Sequence, residues 1–195
     1  MPTARPARPL RTDAQLNYQR ILLAADSAFA QHGAGASLEE IARQAGVGSA
    51  TLHRRFPTRQ SLLKAVFHDR VDALCAKARE LADGPDPALA LITWLRALNA
   101  YASASRGLAA TLLRSRHEAG LPERDDSCEA NIAAAGGELL ERARAAGTVR
   151  PDLRINDLIA LVNAISLATE HTPDPDEADR LLDVAIDGIR RKGER

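Results

Sequence analysis

Aromatic residues make up only 3% of this 195-residue chain, and Trp94 is its one tryptophan. Runs of β-branched residues, and apolar–polar alternation bounded by turns, are missing too, which excludes a sheet-built domain. The two cysteines, Cys75 and Cys128, stand far apart and in no metal-ligand spacing. Neither a disulfide framework nor a zinc site is expected from them. No uncharged stretch approaches bilayer-spanning length. The N-terminus has arginines and prolines without an apolar segment, so it does not read as a secretory leader. A reduced, cytoplasmic protein without membrane contact is the expectation. His-Glu-x-x-His, Cys-x-x-Cys and Gly-x-Ser-x-Gly are absent, and the adjacent pairs His117-Glu118 and Glu170-His171 point apart on a helix. The reading is therefore not an enzyme, with no metal and no cofactor.

What the chain has in quantity is Ala, Leu, Arg and Glu, the composition of helices. An all-α fold follows. Net charge is zero, yet the charges are sorted along the sequence. Through residue 70 there are ten Lys and Arg against five Asp and Glu; after it there are sixteen against twenty-one. A basic first third on a neutral protein suits local phosphate binding without general affinity for polyanions. Arginine outnumbers lysine 23 to 3, which with the alanine content fits a GC-rich bacterial genome.

The basic third contains the most informative stretch, Ser37 to Leu63. Ser37 is a good N-cap, with Glu40 placed to reach back to the Ser37 amide. Leu38, Ile41, Ala42 and Ala45 share one helical face, and Gly46 is suited to the left-handed exit from a helix. After Val47-Gly48, Ser49 can cap a second short helix running to about Phe56. Pro57 stops that helix, and Thr58 caps a third beginning at Arg59. Two short helices joined by so tight a turn form a helix-turn-helix, with Ile41, Val47 and Leu52 filling the angle between them.

The same residues carry a resemblance. Regulators of the tetracycline-repressor (TetR) family commonly read V-S-x-x-T-L-Y-x-H-F-x-x-K-E-x-L, and this chain reads Val47-Gly48-Ser49-Ala50-Thr51-Leu52-His53-Arg54-Arg55-Phe56-Pro57-Thr58-Arg59-Gln60-Ser61-Leu62. Thr51, Leu52, Phe56 and Leu62 match directly. His53, Arg55 and Arg59 replace tyrosine, histidine and lysine, each keeping a hydrogen-bond donor. The resemblance covers about residues 13–68. It implies a DNA-binding regulator, usually a repressor, released when a small molecule binds among the later helices.

Around this stretch the chain divides into a flexible basic arm over 1–12, with Arg5, Arg8 and Arg11; a helix-turn-helix domain over 13–68; and a helical dimerisation and effector-binding domain over 69–195. The arm either has no role or touches phosphates or the minor groove. A first helix from Thr12 or Asp13 to about His32 carries an apolar stripe of Ile21, Leu22, Ala25, Ala28 and Phe29. A fourth runs from Arg59 past Leu74 and links the two domains. Beyond Gly84-Pro85-Asp86-Pro87 come helices over about 88–103, 108–119 and 124–146, the last weakened at Gly136-Gly137. The segment 153–171 is apolar nearly all round, and 174–192 is amphipathic, with Leu181, Leu182, Ala185 and Ile189 on one stripe. Packing these last two helices against a second copy would bury their surplus apolar surface in a homodimer. A wholly intramolecular core is the other way to cover it.

The DNA-site assignments follow from this geometry, and the effector-site ones from what the resemblance implies. A recognition helix reads base edges with its first residues, here Ser49, Ala50 and Thr51, with Arg54 open between base and phosphate. His53, Arg55 and Arg59 are assigned to phosphates, and Ser37 joins them at the cap of the preceding helix. Two such units in a dimer would read a pseudo-palindromic double-stranded operator. Candidate effector-pocket residues are Trp94, Leu98, Tyr101, Leu112, Arg116, His117, Asn163 and Glu170. Asn163 draws attention because a buried amide demands partners, which it would find either in the pocket or across the dimer interface. The competing readings are a constitutive helix-turn-helix DNA-binding factor without a ligand, a helix-turn-helix that grips another protein, and a helical enzyme with a purely spatial His/Glu or Cys/His site.

Overall fold

Ser37 opens the helix-turn-helix as a true N-cap: its backbone is extended and its hydroxyl accepts from the Glu40 amide at 3.3 Å. The reciprocal half of the capping box is not made. Glu40 turns outward to bond Arg43 and Gln44, and the Ser37 hydroxyl donates to Glu39 instead. The guanidinium offers a charged, two-point partner that a single amide cannot match.

In this computed structural model the backbone is described for residues 9–32, 35–118, 126–170, 172, 174 and 176–190, and side chains for those residues outside 9–12, 104–118 and 126–127. Residues 1–8, with Arg5 and Arg8, lie outside the described residues, whereas α1 opens at Pro9, earlier than the expected Thr12 or Asp13, so the backbone of Arg11 belongs to that helix; the side chains of Arg11, Leu112, Arg116 and His117 are not among those described. Eight helices are described: α1 (Pro9–His32), α2 (Leu38–Gln44), α3 (Ser49–Arg55), α4 (Arg59–Ala82), α5 (Pro87–Glu118), α6 (Asp126–Ala145), α7 (Ile155–Ala168) and α8 (Glu177–Ile189). Among the described residues the only β pairing is a single bridge between Val149 and Arg190. The fold is all-α.

The chain forms two compact units, one running to Asp69 and including 107–121, the other holding 70–106 and 122–195. Two of the three unit boundaries, at 69/70 and 106/107, fall inside continuous helices, α4 and α5. The continuity of α5 corrects the expected break near Gly107. One helical glycine costs only about 1 kcal/mol, which the flanking alanines and leucines offset.

In the first unit the α1 stripe Ile21, Leu22, Ala25, Ala28 and Phe29 packs with Ile41 and Ala42 of α2, Leu52 and Phe56 of α3 and its cap, and Leu62, Leu63 and Val66 of α4. The turn between α2 and α3 is a Schellman motif. Gly46 takes φ +68°, its N–H donates to Arg43 O, and the Val47 N–H donates to Ala42 O. Gly48, not Ser49, is the cap residue of α3, so Ser49 is the first helical residue and its hydroxyl is not spent on capping. At the start of α4, Thr58 Oγ1 accepts from the Ser61 amide at 3.0 Å while Ser61 Oγ accepts from the Thr58 amide at 3.2 Å.

The second unit is built around Trp94, which is fully buried with its indole N–H donating to Leu74 O at 3.2 Å. Leu91, Leu95 and Leu98 of α5, Leu139, Leu140 and Ala143 of α6, Leu158 and Val162 of α7, and Leu182 and Ile186 of α8 are buried in the same unit. Gly147, at φ +67°, ends α6 with a second Schellman turn. The following strap is clasped to the end of α8 by the Arg150 amide donating to Ile189 O at 3.1 Å. Helices α5 and α8 run antiparallel, tied by Arg96–Asp183 at 2.9 Å and Asn99 Nδ2 to Asp179 Oδ1 at 3.0 Å.

Helices α7 and α8 each carry large apolar side chains that are exposed in the single chain. Leu167 is 70% exposed and Val184 72%, with Leu161 and Leu181 also outward. The expected α8 stripe is therefore shifted: Ala178, Leu182, Ile186 and Ile189 face in, while Leu181 faces out. A helix with apolar residues on two faces cannot be phased by periodicity alone.

Candidate nucleic-acid interface

Helix α3 is short enough that a single residue, Leu52, anchors it in the core, fully buried. The rest faces out. Ser49, Ala50, His53, Arg54 and Arg55 are exposed and Thr51 is half-exposed. Three of these six side chains are basic or protonatable.

Of the two acids in the first turn of α2, Glu40 is paired within its own helix and Glu39 is not. Glu40 accepts Arg43 at 2.8 and 2.5 Å and Gln44 at 2.9 Å, which holds its carboxyl down at about 2. Arg43 is thereby spent on its own helix. Glu39 is also held below the usual carboxylate range, first by a hydrogen bond at its own backbone and next by the Ser37 hydroxyl. His53 and Arg59 act on it in the same direction, as neighbours of the start of α2.

At the C-terminal end of α3 the Arg55 guanidinium lies over the Tyr18 ring of α1, its Cζ 4.8 Å from the ring centroid. Tyr18 in turn stacks on Phe56, centroids 5.7 Å apart and planes inclined by 27°. Tyr18 had no signal in the local sequence pattern, because the contact joins residues far apart in the chain.

Two family models match the chain: bacterial regulatory proteins of the tetR family over residues 21–66, and the C-terminal domain of SbtR-like transcriptional regulators over 86–191. A TetR transcriptional regulator from Streptomyces coelicolor is similar over 90% of this chain and 99% of its own, at 39% identity and a TM-score of 0.78. A TetR regulatory protein from Mycobacterium vanbaalenii is similar over 94% of this chain and 100% of its own, at 36% identity and a TM-score of 0.74. No curated protein matches. The chain belongs to the TetR family of transcriptional regulators. It is accordingly a DNA-binding regulator, with its helix-turn-helix in the first unit. Among the described residues no helix is long and apolar enough to cross a membrane, and no group of three or more potential ligands could hold a metal ion.

The residues assigned to DNA all belong to the regulator's first unit, whereas the five described side chains among those assigned to an effector differ in burial. Ser37, Ser49, Ala50, Thr51, His53, Arg54, Arg55 and Arg59 all lie on α2–α4 of one unit. Trp94 and Leu98 are buried on α5 and Tyr101 is half-buried further along it. Asn163 is exposed on α7, not buried as the apolar run implied, and Glu170 is exposed beyond the end of that helix, which stops at Ala168. Neither residue joins Trp94. Among the described residues of this unit the buried polar side chains are instead Asn99, Ser166 and Thr169. Asn99 was legible in principle, as a polar residue four after Leu95 on the apolar stripe of α5.

Proposed function

We propose that this regulator is a homodimeric repressor that reads a pseudo-palindromic operator with α3 and is released by a small molecule bound in the second unit. The observation that carries the reading is the outward row Ser49, Ala50, Thr51, His53, Arg54 and Arg55 on a helix pinned by the buried Leu52. Ser49 and Thr51 supply hydroxyls and Ala50 a methyl to base edges; Arg54 suits guanine or phosphate. His53, Arg55 and Arg59 meet phosphates, and Ser37, engaged with Glu39 and the Glu40 amide, holds the start of α2 beside them.

The exposed Leu161, Leu167, Leu181 and Val184 support a partner copy packed on α7 and α8, with Asn163 on that outward side as a cross-dimer contact. Sensing is supported by buried polar atoms with no hydrogen-bond partner among the described residues, Asn99 Oδ1 and Ser166 Oγ, both in the second unit. A ligand that satisfies them would favour one conformation of that unit, and α4, continuous between the units, would carry the change. The chain is not proposed to catalyse any reaction.

The test is a mobility-shift assay of the purified protein on the intergenic DNA flanking its own gene. Saturable, salt-sensitive binding that Ser49→Ala/Thr51→Ala relaxes toward non-specific affinity supports the reading. Binding indifferent to both sequence and salt would remove it.

A further inference from the structure

We propose that Tyr18 is a positioning residue for DNA binding: its ring holds the Arg55 guanidinium at the end of α3, oriented to meet a phosphate. This rests on the assignment of Arg55 to the phosphate backbone. The structure offers two contrasting ways of holding an arginine near the helix-turn-helix. Arg43 is gripped by Glu40, which takes N–H donors at Nε and Nη2 and offsets its charge. Arg55 is held instead by an aromatic face. A ring attracts the cation through its quadrupole and neutralises none of its charge, so the guanidinium keeps its donors and its full charge for an anion.

The ring is itself fixed. Tyr18 is half-buried, packs against the core of the first unit, and stacks on the buried Phe56. Phe56 directly follows Arg55, so the α1 aromatic grips both residues where α3 ends. An exposed arginine there would otherwise sample many rotamers and lose that freedom on binding. Stacking removes much of the loss beforehand. Tyr18 itself touches no DNA. It acts through Arg55.

The experiment measures affinity for a mixed-sequence DNA duplex across a salt series, for the full-length protein and for Tyr18→Phe, Tyr18→Leu, Arg55→Ala and the Tyr18→Leu/Arg55→Ala pair. Thermal unfolding of each variant is followed in parallel. Tyr18→Phe keeps the ring and binds like the parent. Tyr18→Leu weakens binding about two- to fivefold, the scale of one exposed cation–π contact, and flattens the salt dependence. In the Arg55→Ala background the same substitution adds nothing further. A loss from Tyr18→Leu that persists undiminished without Arg55 shows a merely structural role and overturns the proposal. Tighter binding by Tyr18→Leu also overturns it, by showing that the ring withholds Arg55. If Arg55→Ala weakens binding and Tyr18→Leu does not, this inference alone falls. If Arg55→Ala changes neither affinity nor slope, the phosphate assignment falls with it.

Discussion

The Trp94 indole lies so close to Gly136 that a Cβ built on the glycine would stand 2.4 Å from the ring and 2.7 Å from Ile155 Cδ1. Helix α6 therefore needs its missing side chain at this point, and the residue that looked like a weak spot is where α5 and α7 meet it. Gly136→Ala should destabilise the protein by about 1–3 kcal/mol, the usual cost of overpacking. Its neighbour Gly137 has no atom within 4 Å of such a Cβ, so Gly137→Ala should stabilise by about 0.5–1 kcal/mol through helix propensity. Denaturant unfolding of the two variants side by side checks both signs.

Gly46 presents the opposite case. Nothing crowds it, but its φ of +68° is one that L side chains rarely adopt. Gly46→Ala should cost about 1–2 kcal/mol through backbone strain alone. Because this turn sets the angle between α2 and α3, duplex binding should weaken beyond what the reduced stability explains. Thermal unfolding and DNA affinity, measured on the same preparation, separate the two effects.

Leu167 and Val184 are the most exposed large apolar side chains of α7 and α8. Leu167→Glu and Val184→Glu should leave the protomer folded while converting dimer to monomer in sedimentation, since a desolvated carboxylate opposes association. Operator affinity should then fall steeply, because one reading head contacts too few bases. A dimer that survives both substitutions would place the interface elsewhere.

Glu40 provides a pH signature. Its carboxyl is held at about 2, chiefly by the Arg43 hydrogen bond and then by Gln44. A depressed carboxylate contributes stability above its unfolded value and loses it as pH falls toward the folded value. The contribution should therefore fade between the ordinary Glu range and about pH 2. Solvent screening keeps it small, as both side chains of the pair remain open to water. Carbon-detected titration should show Arg43→Gln moving the Glu40 midpoint back up toward the ordinary range.

Local signals in the sequence were legible where local physics decides the structure. Ser37 as a cap, Gly46 as the left-handed exit and Leu52 as the anchor of α3 all follow from neighbours within a turn or two. Features that depend on distant partners could not be read in the same way. Periodicity marks α7 as apolar but cannot say which side faces outward, so it leaves Asn163 between pocket and dimer interface, and the residue lies on the protomer's surface. The Tyr18–Arg55 contact and the Asn99–Asp179 bond join residues on different helices, and no spacing rule reveals either. The break expected at Gly107 does not form because a glycine lowers helix propensity without forbidding the helix.

The decisive measurement is the salt dependence of duplex binding. If the exposed end of α3 and the start of α4 meet the phosphate backbone, Arg55→Ala/Arg59→Ala should weaken binding to every duplex. The slope of log affinity against log salt should also fall by about 0.9 for each phosphate that is no longer neutralised. A slope equal to that of the unsubstituted protein would contradict this, since DNA would then be held by some other surface.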